Sequence, residues 1–226
     1  MKFGSITTGI ITDGLVSNMD AANRASTIPV STVETSLNTV DTSIVGTFSD
    51  NGIFDSSTIT PSFAFGGTDD YINCGNQSSL SFTSNFSVCA WMKSSNQNSY
   101  AVAVAKSDSN GYSMQMRAAG DQFNFNINDG SWKNANYSLS PIDNGNWYYV
   151  VGTHNGSTIK IYVNAIKGTD GSAGSATTNS RPFFIGAEHT GQHFRGNIGP
   201  VHVYNRVLSA SEVLHNYNAL KGRFGL

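Results

Sequence analysis

Trp147-Tyr148-Tyr149-Val150-Val151, followed past His154-Asn155-Gly156-Ser157 by Thr158-Ile159-Lys160-Ile161-Tyr162-Val163, decides the fold class. Both runs are rich in β-branched and aromatic residues, which fit a pleated and half-buried surface. Between them stands Asn-Gly, whose residues tolerate the positive φ of a tight hairpin turn. The pair is predicted as an antiparallel hairpin. Upstream, Tyr112-Ser113-Met114-Gln115-Met116 and Phe123-Asn124-Phe125-Asn126-Ile127 alternate apolar with polar residues, as strands with one buried face do. Phe86-Ser87-Val88-Cys89-Ala90-Trp91-Met92-Lys93 differs. Phe86, Val88, Ala90 and Met92 share one face while Cys89 and Trp91 occupy the other, which predicts an inner strand covered on both sides. Phe183-Phe184-Ile185 and the run from Ile198 to Tyr204 add further strands. Short strands at regular spacing predict an all-β, antiparallel two-sheet sandwich.

One helix stands out. Ser209-Ala210-Ser211-Glu212 is a capping box, in which the serine side chain bonds the Glu212 amide and the glutamate reaches back. Val213, Leu214, Tyr217 and Leu220 then repeat at helical spacing, with Gly222 expected to close the run. The stretch from Ala25 to Thr60 is rich in Thr and Ser with isolated Val, Ile and Phe; it reads as meandering strands or as a long loop wrapping an edge. Gly168 to Ser180 reads as a flexible hairpin tip. No internal repeat or dividing linker is evident, so residues 1–226 are taken as a single domain, with 1–60 a wrapping or docking segment.

Composition narrows the function. The 226 residues carry a formal charge of −2, and only 12% are charged. Their 13 Lys and Arg are scattered, leaving no basic field for nucleic acid. No apolar run is long enough to span a membrane, and Met1 to Gly9 lacks the apolar core of a signal peptide. Cys74 and Cys89 cannot build a disulfide framework and are predicted as two free thiols, a single bridge being the alternative.

The Trp147–Asn164 segment resembles the "W-Y-h-V... G-s-t-l-k-l-Y-v-N-G" signature of concanavalin A-like jelly rolls in the laminin G and pentraxin group. Phe194-Arg195-Gly196-Asn197-Ile198-Gly199-Pro200-Val201-His202-Val203-Tyr204 is similar to that group's closing strand, and Phe65-Gly66-Gly67-Thr68-Asp69-Asp70-Tyr71-Ile72 to an early one. The chain departs from the common pattern at Gly199-Pro200, where many relatives carry an acidic residue. A narrower resemblance lies in Gly14-Leu15-Val16 with Met19-Asp20-Ala21-Ala22-Asn23, and in Tyr217 to Leu226: these look like virion-associated laminin G-like proteins of marine tailed bacteriophages. That resemblance implies a non-enzymatic virion structural protein: a capsid decoration, fibre or appendage assembled in the host cytoplasm. Implied partners are other virion proteins, host-surface glycans and further copies of the chain. The alternative is a free carbohydrate-binding lectin, and the third reading is a glycoside-active enzyme.

Catalysis finds little support in the residues. Glycosidases flank the scissile bond with two carboxylates, and none of the Glu residues (Glu34, Glu188, Glu212) has a carboxylate two positions on. His189 and His193 are four apart, but in a glycine-bearing connection and not on a helix. Calcium is the cofactor the resemblance implies, since hard cations take several loop oxygens. By pattern, Ile185-Gly186-Ala187-Glu188 with Gln192, and Lys106-Ser107-Asp108-Ser109-Asn110, resemble pentraxin ligand segments. Asp108, Asn110, Glu188 and Gln192 are therefore the candidate metal ligands, against the plainer reading of Asp108 to Gly111 as an ordinary turn. Asp69-Asp70 is expected to be a structural turn. For glycan binding, which needs an aromatic plate beside polar partners, Trp132 in Asp129-Gly130-Ser131-Trp132 is the first candidate, set against packing over its hairpin. Tyr100 and Tyr137 follow. Trp91 and Trp147 are expected in the core.

Overall fold

The computed structural model describes residues 9–22, 27–28, 35–37, 40–41, 43–49, 54–55, 61–94, 100–108, 110–117, 121–188 and 191–226. Among them, every paired strand of two nine-stranded sheets is antiparallel, as the alternation predicts. The first sheet runs in the order β15 (Ile166–Lys167), β14 (Thr158–Val163), β13 (Trp147–His154), β8 (Phe86–Lys93), β18 (Arg195–Tyr204), β6 (Ser62–Gly66) and β5 (Phe54–Asp55). β1 (Leu15–Met19) also pairs with β18, and β16 (Gly171–Ser172) with β14. The second sheet runs β12 (Trp132–Ser138), β11 (Gln122–Asn128), β10 (Gly111–Arg117), β9 (Ala101–Ser107), β17 (Phe184–Ile185), β7 (Ile72–Asn73), β4 (Val45–Phe48), β3 (Thr35–Leu37) and β2 (Thr27–Ile28).

The hairpin read from the Asn-Gly turn is present, with Val150 opposite Val163 and His154 opposite Ile159. Asn155 Oδ1 closes its turn by accepting from the Ser157 and Thr158 amides at 3.0 and 2.7 Å. Between the sheets lies the core: Phe86, Val88, Ala90 and Met92 from β8 meet Met114, Met116, Phe123, Phe125 and Ile127 from the other sheet. Gly152 is a close-approach position, because an added Cβ would stand 2.1 Å from the Phe125 ring.

On the far side of β8, Cys89 and Trp91 join a second apolar cluster with Trp147, Tyr149, Val151, Tyr204, Leu208, Val213 and Phe224. This cluster is roofed by α1 (Ala210–Leu220) and the 3-10 turn Lys221–Phe224 that continues it. Phe224 stacks on Trp91 at 4.1 Å between ring centroids and meets Trp147 at 4.7 Å. Room for that ring comes from the Gly199-Pro200 step, where β18 shifts register between Ile198 and Val201. A Cβ on Gly199 would come within 2.9 Å of Phe224 and 3.0 Å of the Trp91 Cβ. Bulges are where a strand admits Pro. The capping box forms as read, and Arg206 adds a fork to Glu212 at 2.7 and 3.1 Å. That fork, with the Ser209 bonds, pulls the Glu212 carboxyl down to about 2.

The structure corrects three expectations. Leu214 is 49% exposed and off the buried stripe, because the chain side of α1 is set by Val213 and Asn216. The terminal turn is closed by Gly225 in the left-handed region, three residues beyond Gly222. Gly168 to Ser180 is not a free tip but a strap bonded along its length: Thr169 pairs with Asn136, Ala173 with Ser157, and Thr177 with Asn128. Of Ala25 to Thr60, the described pieces include short strands, which add β4, β3 and β2 to one sheet and β5 to the other. Cys74 and Cys89 are free and buried, and burial pushes each thiol up to about 12.

Candidate functional site

The site lies on the outer face of the second sheet, which no helix covers among the described residues. Period two decides its chemistry. In β10 and β11 the residues Met114, Met116, Phe123, Phe125 and Ile127 point into the core, so Ser113, Gln115, Arg117, Asn124 and Asn126 point out. Register places them in rows. Ser113 stands opposite Asn126 and Asn126 opposite Asn134; Gln115 stands opposite Asn124 and Asn124 opposite Asn136. Asn126 Nδ2 donates to Ser113 Oγ at 3.2 Å. The Asn124 side chain is almost fully buried, yet its Oδ1 accepts no hydrogen bond among the described residues. The result is a floor of hydroxyls and amides, open above.

Over this floor is a cleft of about 450 Å³. Trp132, 44% exposed, forms its rim on the β12 side. The turn that presents Trp132 is held twice: Asn128 Oδ1 accepts from the Gly130 amide at 2.9 Å, and Asp129 Oδ2 accepts from Gly174 of the strap at 2.8 Å. The Gly174 bond, the largest influence, lowers the Asp129 carboxyl below its ordinary range. Tyr100, also 44% exposed, stands at the opposite corner with the Arg117 guanidinium 4.9 Å from its ring centroid.

Asp108, Glu188 and Gln192 line the same cleft. Asp108 Oδ2 accepts a fork from Arg181, at 2.9 Å from Nε and 2.6 Å from Nη2. Arg181 is itself placed by Lys106, whose Nζ donates to the Arg181 carbonyl and to Asn76 Oδ1, each at 2.6 Å. Burial pushes the Lys106 ammonium below its usual range. Glu188 is buried and Oε1 accepts from Ser107 Oγ at 2.6 Å. Its backbone closes a small turn onto Gly191, which delivers Gln192 in a left-handed conformation (φ 56°). Gln192 then bridges to the floor: its carbonyl accepts from the Val102 amide at 2.8 Å, and Oε1 from Gln115 Nε2 at 3.3 Å.

Five of the residues singled out from the sequence therefore share one cleft: Tyr100, Asp108, Trp132, Glu188 and Gln192. Two are not brought there. Tyr137 has the parity of Ala135, so its ring turns inward and packs against the core. Asn110 is spent in the turn, its carbonyl accepting from Asn179 Nδ2 at 2.8 Å and from the Asp108 amide at 3.2 Å. The four proposed metal ligands do not form a calcium cage as arranged. A guanidinium holds Asp108, a hydroxyl holds Glu188, and Asn110 does not line the cleft, whereas calcium takes about six to eight oxygens. Among the described residues no group of three or more His, Cys, Asp or Glu is placed to hold a metal. His189 lies outside the described residues. Asp70 serves a turn, its carboxylate accepting from the Gly66 amide.

The sequence reading missed the floor itself, and also a second depression of about 470 Å³ beside the Glu188 turn. Tyr71, Phe184 and His193 are among its lining residues, with Tyr71 edge-on to Phe184 at 5.5 Å. The signal for the floor was the Asn and Gln residues at alternate positions of two neighbouring strands.

A family model described as the concanavalin A-like lectin/glucanases superfamily matches residues 65–214, more than half of the chain. The chain belongs to that superfamily. Among solved structures of this architecture, it superposes on the binding domain of Paraclostridial Mosquitocidal Protein 1 with a TM-score of 0.67 at 14% identity, covering 91% of this chain and 52% of that one. Domain 4 of AbnA, a GH43 extracellular arabinanase from Geobacillus stearothermophilus solved with arabinotriose, gives 0.67 at 16% identity over 90% and 98%. The receptor binding domain of botulinum neurotoxin D gives 0.66 at 15% identity over 91% and 52%. The chain thus spans about half the length of the two toxin domains. At these identities the likeness establishes the concanavalin A-like fold. No curated protein matches the chain in sequence.

Proposed function

We propose that this protein is a non-enzymatic saccharide-binding module whose ligand lies in the cleft between Trp132 and Tyr100. The observation that carries the reading is the floor: amides and hydroxyls from adjacent strands in register, with exposed aromatic rings at two corners. Sugar hydroxyls need paired donors and acceptors, and Asn and Gln side chains supply both from one group. The apolar C–H face of a sugar ring stacks on an indole. The solved arabinanase domain with arabinotriose lends support by its shared architecture. Asp108 and Glu188 are held by Arg181 and Ser107, which suits fixed polar walls better than a catalytic acid and nucleophile. Calcium is not needed by this reading.

A glycan array read with calcium and again with EDTA tests it. Binding that survives EDTA and falls about thirtyfold in Trp132→Ala, as loss of a tryptophan anchor does, is the expected result. Silence across the array from protein that melts cooperatively would overturn the proposal. Release of reducing sugar that Glu188→Gln abolishes would overturn its non-enzymatic part.

The setting we propose is the virion implied by the terminal sequence resemblance, with the cleft meeting host-surface glycans. Co-sedimentation of the protein with purified particles checks that setting independently of the sugar.

A further inference from the structure

We infer that the saccharide is acidic and that Arg117 reads its carboxylate; this rests on the saccharide reading above. Several other cations of the described fold have assigned partners: Arg181 forks onto Asp108, Arg206 onto Glu212, Arg223 bonds Asp20, and Lys167 bonds Asp170; Lys133 also lines the cleft, on the β12 side with Trp132. Arg117 has no ion pair among the described residues. It is half-buried at the end of β10, lines the cleft, and its Nε is enclosed with no hydrogen-bond acceptor. Among the described residues its partner is the Tyr100 ring. The cation–π attraction holds the guanidinium over that ring, and its two terminal Nη groups, unlike the enclosed Nε, can still donate. That fork matches the two oxygens of a carboxylate.

Charge along the cleft points the same way. Its carboxylates, Asp108 and Glu188, gather where β9 meets the start of β10, since Ser107, which donates to Glu188, stands opposite Gly111. Arg117 is six residues further along β10, about 20 Å at strand rise. The acidic end is compensated by Arg181, whereas Arg117 makes no ion pair among the described residues: Asp121, beside its register partner Gln122, accepts instead from Ser140 Oγ. A neutral sugar would bury the guanidinium further without a partner; a uronate would complete it. The amide floor between supplies the hydroxyl partners of the rings that follow, so a short oligosaccharide with one acidic residue over Tyr100 fits the layout.

The test uses the full chain and matched oligosaccharides, each offered as the uronate and as its carboxyl-reduced neutral form: galacturonan, glucuronan and alginate fragments. Titration calorimetry at low and at physiological salt is the readout. The uronate is expected to bind about tenfold tighter or more than its neutral twin, with an advantage that shrinks as salt rises. Arg117→Gln should erase the difference between the two forms, and Arg117→Lys, which keeps the charge but loses the fork, should retain only part of it. Equal affinity for both forms, or an acid preference untouched in Arg117→Gln, would overturn this inference alone. A sulfated analogue bound as tightly as the uronate would overturn the assignment to carboxylate. Failure of every oligosaccharide, acidic and neutral, would overturn the saccharide reading and this one with it.

Discussion

The sandwich has two outer faces, built from strands of similar length. On the first sheet the outward side chains of β8 and β13 are Cys89, Trp91, Trp147, Tyr149 and Val151, and a helix with its terminal turn covers them. On the second sheet the outward side chains of β10 and β11 are Ser113, Gln115, Asn124 and Asn126, and they floor a cleft. The same backbone geometry therefore yields a second core on one side and a polar surface on the other. What separates them is one residue in two: apolar outward positions must be roofed to leave water, while amides must stay reachable or be paired. The covered face is expected to govern stability and the open face binding.

Phe224→Ala should have the largest effect. It removes the ring stacked on Trp91 and Trp147 from a nearly closed site, costing about 3 to 5 kcal/mol by analogy with buried aromatic truncations. Denaturant melts would show this, and the folded fraction should bind saccharide as the parent does. A matching loss of affinity would mean the two faces are coupled.

Next comes acid. His202 is buried under the same roof, and desolvation, together with the nearby Arg223 and against the opposing pull of Asp20, holds it down to about 4 from 6.5. In that interval the unfolded chain takes the proton first. Stability is therefore complete above pH 6.5 and falls as the pH drops from 6.5 towards 4, by up to about 3 kcal/mol. Unfolding midpoints across this range should slope accordingly in the parent and flatten in His202→Gln.

On the open face, Asn124→Leu should leave stability within about 1 kcal/mol, because the lost Oδ1 has no partner among the described residues to strand. Saccharide affinity should fall about tenfold by calorimetry, roughly the worth of a hydrogen bond or two. A large drop in melting temperature would show that the amide row is structural. The smallest effect belongs to Ser209→Ala, which loses the cap of α1 and should cost about 1 kcal/mol with no change in binding.

The covered face was legible in advance. Two-sided apolarity in Phe86 to Lys93 marked β8 as an inner strand, and the Ser209–Glu212 box marked the helix that hides it. The open face was legible only by half. The alternation in Tyr112 to Met116 and Phe123 to Ile127 gave the strands, but their Asn and Gln residues look the same whether they face bulk water or a ligand. That Asn124 stands opposite both Gln115 and Asn136 is a matter of register between separate strands, which a single sequence does not display. Parity within β12 would have told Trp132 from Tyr137, five positions apart and hence on opposite faces. Asp108 and Glu188, 80 residues apart in sequence, came together because β17 lies beside β9; their pairing with Arg181 and Ser107 has no local signal. The Gly199-Pro200 departure became intelligible only with Phe224 in place above it.

Tyr204 on β18 donates to the carbonyl of Ile11 at 2.9 Å, and Asn216 of α1 accepts from the Ile11 amide at 2.8 Å and donates to the Tyr204 hydroxyl at 3.0 Å. These bonds clamp the early chain, from Gly9 on, and the final helix to the same side of the molecule, the roofed one. A tether joined at either place would pull from behind the sandwich and leave the cleft facing outward. The fold thereby gives the molecule a back and a front: it can be anchored to a bead, a sensor chip or a larger assembly by its back while its front remains available for capture.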